Sequence, residues 1–236
     1  TRTQFKNATG LPDEGHYTTA KDLSLLARAL IRDFPEHYKV YKEKYFSYND
    51  IRQANRNSLL WRDDAVDGMK TGHTEAAGFC LVASAEKKDM RLVSVVMGAT
   101  SERSRSTESQ KLINYGFRYF ESVKLYDGLE SLRRVKVWGG LHESLDVGIE
   151  APARLTIPNG ARGALAAEVT LDPVIKAPVR RGQILGLLRI SLEGETMLER
   201  PVVALNGVDE AGLVSTLIDE VSLFFLSLFS GDPLAP

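Results

Sequence analysis

Two apolar runs near the middle of the chain constrain its fold more than any other feature. Residues 79–85 and 90–97 are almost continuously apolar, and the tetrapeptide between them is Glu86-Lys87-Lys88-Asp89. Short apolar runs that do not alternate with polar residues are typical of strands buried on both faces. The sequence therefore predicts a buried β-hairpin, which needs a covering layer on each side.

Helices are predicted on both sides of this hairpin. Thr19 and Asp22 have the spacing of a capping box, and apolar residues then recur at helical intervals until Pro35. A second long helix is predicted to begin near residues 104–107. Residues 44–57 alternate weakly and predict a ribbon of short strands. The first part of the chain is thus predicted to be α+β.

The periodicity changes from helical to alternating after Gly128. Short alternating segments follow, separated by turn sequences such as Pro158-Asn159-Gly160. We therefore predict a first domain over residues 1–127 and a small all-β domain over residues 128–205.

A final amphipathic helix is predicted over residues 208–229. Its length would suffice to cross a bilayer, but Asp219 and Glu220 would lie near the middle. Each would cost about 2.5 to 3.5 kcal/mol there, so a helix lying in the membrane interface is favoured over one that spans. The alternative is a helix packed on its own protein or on a second copy.

Composition excludes several classes of function. The formal net charge is -1, so the chain has no general field that attracts nucleic acid, and we expect no nucleic-acid partner. The single cysteine, Cys80, excludes an intrachain disulfide but leaves the compartment open. We expect no metal and no cofactor, because the histidines do not have metal-ligand spacing. These histidines are His16, His37, His73 and His142.

The tripeptide Lys70-Thr71-Gly72 is the strongest indication of chemistry. It places an ammonium group, a hydroxyl and a residue without Cβ in succession, just before the predicted hairpin. The first two can bind a carboxylate, and the third lets a peptide backbone approach the strand closely. Taken alone, the tripeptide is also compatible with a solvated lysine in a tight turn.

Further segments accompany the tripeptide in the order that one protein family uses. They are Thr9-Gly10-Leu11, residues 20–23, Asn55-Arg56-Asn57, residues 59–61, residues 66–74 and residues 77–85. The chain resembles the carboxyl-terminal portion of low-molecular-mass penicillin-binding proteins, the serine-type D-alanyl-D-alanine carboxypeptidases, over essentially its whole length. This resemblance implies part of a penicillin-binding/β-lactamase-like catalytic domain, followed by the all-β domain and a membrane-anchoring helix.

The resemblance also implies roles for the residues of the tripeptide and its neighbour. Lys70 would bind substrate and tune proton transfer, and Thr71 would hold the terminal carboxylate. Gly72 completes the catalytic motif. The backbone N–H of His73 would be one of two oxyanion-hole donors, and its ring would have no proton role.

Arginines complete the implied substrate site. Arg105, in the loop before the second long helix, would bind the free carboxylate of the substrate with its planar guanidinium. Arg103 is the alternative candidate for this carboxylate, because it lies two residues away in the sequence. Either arginine could instead be a solvated cation. Arg56 would contribute to substrate binding by supporting the floor of the cleft.

Two motifs of the family, S-x-x-K and S-x-N, are not in their expected places. Ser84-Ala85-Glu86-Lys87 follows the tripeptide and lies in a predicted strand, while Ser47-Tyr48-Asn49 lies in the ribbon of short strands. We expect neither to be catalytic. The nucleophile is then expected in a segment preceding Thr1, which stays bound over the hairpin, and the 236 residues alone are expected to be inactive.

The function implied by the resemblance is removal of the terminal D-alanine from peptidoglycan pentapeptides through an acyl-enzyme. The expected partners are the peptidoglycan stem peptide, β-lactam antibiotics and the surface of the inner membrane, on its periplasmic side. Two alternatives remain: a non-catalytic cell-wall peptide-binding protein, and a β-lactamase that shares the K-T-G motif.

Overall fold

The structure is a computed structural model and describes residues 2–212. The chain divides into two compact units after Glu121. The first unit contains three α-helices and five strands, and the second is built from strands.

The first unit is α+β, as predicted. In chain order its elements are α1 (Ala20–Asp33), α2 (Pro35–Tyr38), β1 (Tyr45–Tyr48), β2 (Ile51–Ala54), β3 (Val66–Thr74), β4 (Gly78–Lys87), β5 (Met90–Ala99) and α3 (Glu102–Tyr119). Short 3-10 turns occupy Lys39–Lys42 and Ser58–Trp61. Strands β1 and β2 form the predicted ribbon, and the other three form an antiparallel sheet in the order β3-β4-β5. Strand β3 therefore lies at an edge of that sheet.

The predicted hairpin is confirmed as strands β4 and β5. Lys87 pairs with Met90, and the two residues between them form the turn. Lys88 and Asp89 both have left-handed backbone angles, with φ of 50° and 61°. Such a two-residue turn matches the right-handed twist of the strands that it joins.

The two predicted covering layers are helices α3 and α1. Leu81 and Ala83 of β4 pack with Ile113 of α3 in one apolar cluster. Val82, which points to the opposite face, packs against a second cluster that contains Ala27 of α1. The period of two along β4 thus sends alternate side chains to different helices.

Helix α1 begins and ends where its sequence signals predict. The Thr19 hydroxyl oxygen accepts a hydrogen bond from the backbone N–H of Asp22 at 3.1 Å, and the helix ends before Pro35. The Asp22 carboxylate accepts bonds from the Thr3 hydroxyl at 2.6 Å and from the Arg2 backbone N–H at 2.7 Å. These two donors lower the pKa of Asp22 from its ordinary value. The carboxylate thereby ties the start of the described chain to the helix.

A polar network fixes the beginning of β3 to the rest of the sheet. Arg91 Nη1 donates to the two Asp67 carboxylate oxygens at 2.9 and 2.7 Å, and to the Ser84 hydroxyl at 2.8 Å. The Tyr38 hydroxyl donates to Asp67 at 2.9 Å. Burial raises the pKa of Tyr38 above its ordinary value, so the phenol remains a donor. Arg91 also pairs with Glu86.

The second unit contains two sheets, and the larger one is antiparallel. Its strands are β6 (Phe120–Tyr126), β7 (Arg133–Lys136), β8 (Ser144–Gly148), β9 (Ala153–Pro158), β10 (Leu165–Leu171), β11 (Ile184–Leu192) and β12 (Glu195–Ala204). Five of them form a sheet in the order β10-β11-β12-β8-β7, and β6 pairs with β9. One 3-10 turn occupies Ala161–Ala164.

Residues 122–126, which the sequence assigns to the first domain, lie in the second unit. They belong to β6, and Val123 is buried in the apolar core of that unit together with Ile149 and Leu188. The unit therefore begins before Gly128, where the alternation becomes visible in the sequence.

The prediction that the C-terminal helix begins at Val208 is wrong. Val208 is 3% exposed in the core of the second unit. Its backbone exchanges two hydrogen bonds of 2.8 Å with Val179, so the chain is extended here. Residues 213–229 of the predicted helix lie outside the described residues. Between residues 2 and 212, no helix is long and apolar enough to cross a membrane.

Replacement of Arg91 tests the polar network. Arg91→Met should lower the free energy of unfolding by about 2 kcal/mol, because Asp67 is left half-buried without its cation. Arg32→Met, which breaks an exposed pair with Asp33, should leave the urea midpoint close to that of the native protein. Urea unfolding followed by tryptophan fluorescence measures both. Equal destabilisation by the two substitutions would contradict a stabilising role for the Arg91 network.

Candidate active site

The tripeptide Lys70-Thr71-Gly72 lines a cavity of about 720 Å³ in the first unit. Strand β3 supplies one wall, and helix α1 and strand β5 supply apolar walls that include Leu26 and Met97. Both of these side chains are substantially exposed, at 54% and 40%. The cavity thus combines an open apolar surface with a short polar edge.

The three residues present different groups at this edge. The Lys70 side chain is exposed, and its Nζ donates to the Thr71 carbonyl oxygen at 2.6 Å. Thr71 is half-buried and Gly72 is exposed. A Cβ added to Gly72 would approach no atom more closely than Cys80 Cβ, at 3.9 Å. The fold itself does not require glycine here, so its absent side chain leaves room beside the strand.

The His73 ring lies against an aromatic neighbour. It is exposed and stacks on Phe79, with 3.9 Å between the ring centroids and 26° between the planes. The His73 backbone belongs to β3, immediately after the tripeptide. Its role as an oxyanion donor stays a prediction.

Arg105 is neither in a loop nor solvated, which corrects the expectation from sequence. Ser101 caps helix α3 by accepting a hydrogen bond from the Ser104 backbone N–H at 3.0 Å, so Arg105 lies in the first helical turn. Its side chain is 2% exposed. The guanidinium donates to the Gly72 carbonyl oxygen at 3.3 Å and to Glu102 at 3.1 Å. The helix therefore starts earlier than predicted and carries Arg105 to the end of the K-T-G strand.

The other two arginines remain at the surface. Arg103 is exposed on α3, and Arg56 is exposed just before the turn Ser58–Trp61. Of the two candidates for the carboxylate, Arg105 is the one with a described hydrogen bond to β3.

The neighbour of Arg56 supports β3 instead, and sequence reasoning gave it no role. Asn57 is fully buried, and its Nδ2 donates to the Gly68 carbonyl oxygen at 2.9 Å. Its Oδ1 accepts from the Leu59 backbone N–H at 3.2 Å, which caps the short turn that follows. The signal was an asparagine two residues before the apolar pair Leu59-Leu60, a typical cap position.

Comparison with known proteins accounts for both units. Residues 1–101 match the family described as D-alanyl-D-alanine carboxypeptidase. Residues 120–210 match the family described as penicillin-binding protein 5, C-terminal domain. Together the two matches show that the chain is similar to the penicillin-binding D-alanyl-D-alanine carboxypeptidases.

Individual members of the family are similar along most of the chain. D-alanyl-D-alanine carboxypeptidase DacC of Escherichia coli K12 is 42% identical over 231 residues, which are 97% of this chain and 58% of that protein. DacA of the same strain is 41% identical over 94% of this chain and 56% of its own length. The chain therefore spans less than two thirds of these relatives.

A solved structure supports the same assignment. The crystal structure of penicillin-binding protein 5 from Haemophilus influenzae matches with a TM-score of 0.80 and 39% sequence identity. The match covers 89% of this chain and 62% of that chain.

The two serines whose motifs imitate those of the carboxypeptidase family lie in strands β4 and β1. Ser84 is fully buried in β4, where its hydroxyl accepts from Arg91. Ser47 is exposed on β1. Neither is among the described residues that line the cavity. That neither serine is a nucleophile stays a prediction.

The support that Asn57 gives to β3 can be tested by truncation. Asn57→Ala should lower the free energy of unfolding by about 2 to 3 kcal/mol, because it leaves the Gly68 carbonyl and the Leu59 N–H without their partner. The matched change Asn114→Ala, at an exposed position of α3, should have little effect. Chemical denaturation of both variants measures the difference. A near-native value for Asn57→Ala would show that these bonds do not stabilise the strand.

Proposed function

We propose that the whole protein is a serine carboxypeptidase that removes the terminal D-alanine from peptidoglycan pentapeptides. The observation that carries this proposal is the position of Lys70-Thr71-Gly72 on an edge strand that lines an open cavity. An ammonium group and a hydroxyl stand there beside free space at Gly72. A peptide ending in a carboxylate has the shape and charge that this edge can bind.

In the proposed reaction, a serine hydroxyl attacks the carbonyl carbon of the penultimate D-alanine. The terminal D-alanine leaves as the free amino acid, and water then hydrolyses the acyl-enzyme. Lys70 would orient the substrate and assist proton transfer, while Thr71 would hold the departing carboxylate. The backbone N–H of His73 would stabilise the developing oxyanion, a contact of a type that contributes about 3 to 4 kcal/mol.

The attacking serine is proposed to come from polypeptide outside the 236 residues. The placements of Ser84 and Ser47 support this, because neither hydroxyl lines the cavity. The open apolar walls support it too, since Leu26 and Met97 present surface that another segment could cover. On this proposal the 236 residues have no activity by themselves.

The proposed partners and location follow from the same function. The substrate is the peptidoglycan stem peptide, and β-lactam antibiotics would acylate the same serine. The proposed location is the periplasm, with peripheral attachment to the inner membrane through the amphipathic sequence over residues 213–229. Acylation of the serine and hydrolysis of the acyl-enzyme require no cofactor, and the proposed function involves no nucleic acid.

Labelling with a tagged penicillin tests the proposed function. The full-length protein should retain the label after denaturation, and the 236 residues alone should remain unlabelled. Lys70→Met should slow labelling by about 100-fold or more, because the cavity loses its cation. The control Lys87→Met, at the exposed end of β4, should label at the native rate.

Three outcomes would contradict the proposal. A label on the 236 residues alone would place the nucleophile within them. Rapid release of hydrolysed penicillin would identify a β-lactamase. Absence of label, together with binding of a D-alanyl-D-alanine peptide, would identify a non-catalytic binding protein.

Removal of the residues after Gly212 tests membrane attachment. The protein that lacks only these residues should move from the membrane pellet to the soluble fraction on centrifugation, because the apolar residues of the segment 213–229 are gone. D-alanine release by the truncated protein serves as the control for folding. Continued pelleting of the active truncated protein would rule out this anchor.

A further inference from the structure

Arg105 is a buried cation whose guanidinium is only partly satisfied. Nη1 donates to the Gly72 carbonyl oxygen at 3.3 Å, and Nη2 donates to Glu102 Oε1 at 3.1 Å. The buried Nε atom has no hydrogen-bond partner among the described residues. A buried charge is stable when it is paired and its donors are bonded. The guanidinium therefore carries one buried N–H that no acceptor among the described residues satisfies.

The guanidinium lies at the end of the K-T-G strand. Its bond to Gly72 joins it to the residue that follows Thr71. Its central carbon is 5.7 Å from the centroid of the Phe79 ring, on which His73 also stacks. The cation is thus next to the strand segment where the carboxylate of a substrate would lie.

Glu102 already accepts a hydrogen bond from this cation. It is the first residue of α3, and its side chain is 69% exposed, whereas that of Arg105 is 2% exposed. The Glu102 carboxylate therefore lies at the boundary with water, bonded to a guanidinium beneath it. The positive end of the helix macrodipole favours the same carboxylate. Any other carboxylate must compete with it for Arg105.

We propose that Glu102 is a specificity-determining residue that competes with the terminal carboxylate of the substrate for Arg105. This inference rests on the proposed function, because it takes the substrate to be a peptide with a free carboxylate. Glu102 holds the cation in place against Gly72 before substrate arrives, and it weakens the binding of anionic termini. Peptides that end in a neutral amide do not compete for the cation. Glu102 therefore reduces the difference in affinity between carboxylate peptides and amide peptides.

The test compares two peptides that differ only at their terminus, one ending in D-alanyl-D-alanine and the other in its terminal amide. For the carboxylate peptide, Glu102→Gln in the full-length protein should lower KM by about threefold, the range of an ion pair with one exposed partner, with little change in kcat. For the amide peptide, KM should stay at the native value. Glu102→Ala should give the same pattern.

The matched control is Glu108→Gln. Glu108 pairs with Lys111 on the same helix, at the same spacing as Glu102 and Arg105, and both partners are exposed. This change removes an equal charge from α3 without touching Arg105. It should leave KM for both peptides unchanged.

Other results would overturn the inference. An unchanged or higher KM for the carboxylate peptide in Glu102→Gln would show that Glu102 does not compete for the cation. An equal shift for both peptides, or the same shift in Glu108→Gln, would indicate a structural or general charge effect.

Failure of the proposed function gives a different result. The native protein would then release no D-alanine from the carboxylate peptide. Dissociation constants of the two peptides, measured by calorimetry on the same variants, replace KM in that case. The inference still requires a threefold tighter carboxylate complex in Glu102→Gln, and a native protein that does not bind this peptide overturns it.

Discussion

The geometry of the candidate active site depends on how an edge strand is held in place. Strand β3 has a neighbouring strand on one side, so its position is also fixed by side chains that bond it from elsewhere. Asn57 donates to the Gly68 carbonyl, Arg105 donates to the Gly72 carbonyl, and Arg91 holds Asp67. These contacts lie on either side of Lys70 and Thr71, which line the polar edge of the cavity together with Gly72. A group on such a supported strand is held more precisely than one on a loop.

The parts of the fold that sequence predicted well are those set by local patterns. The hairpin followed from two apolar runs with a polar turn, and helix α1 followed from the Thr19 cap, the apolar spacing and Pro35. In both cases, the residues that decide the structure lie within a few positions of one another. The K-T-G tripeptide was also found from sequence, because three adjacent residues carry its signal.

The features that sequence missed depend on contacts between distant residues. Arg105 is buried because α3 begins at Glu102 and brings the guanidinium to Gly72, far away in the chain. Val208 is extended because it pairs with Val179, which overrides the helical spacing around it. Local propensity is a weak prior against such tertiary contacts. For the same reason, the partner of Asn57 could not be identified from sequence, although its cap position could.

On the proposed function, the strand bearing Lys70 and Thr71 forms one wall of a peptide-binding cleft. A crystal structure of the full-length protein with an unhydrolysed D-alanyl-D-alanine peptide tests this most directly. We expect the terminal carboxylate within hydrogen-bonding distance of the Thr71 hydroxyl, with a serine from outside the 236 residues facing the scissile carbonyl. A peptide bound elsewhere, with Lys70 and Thr71 facing only water, would contradict it.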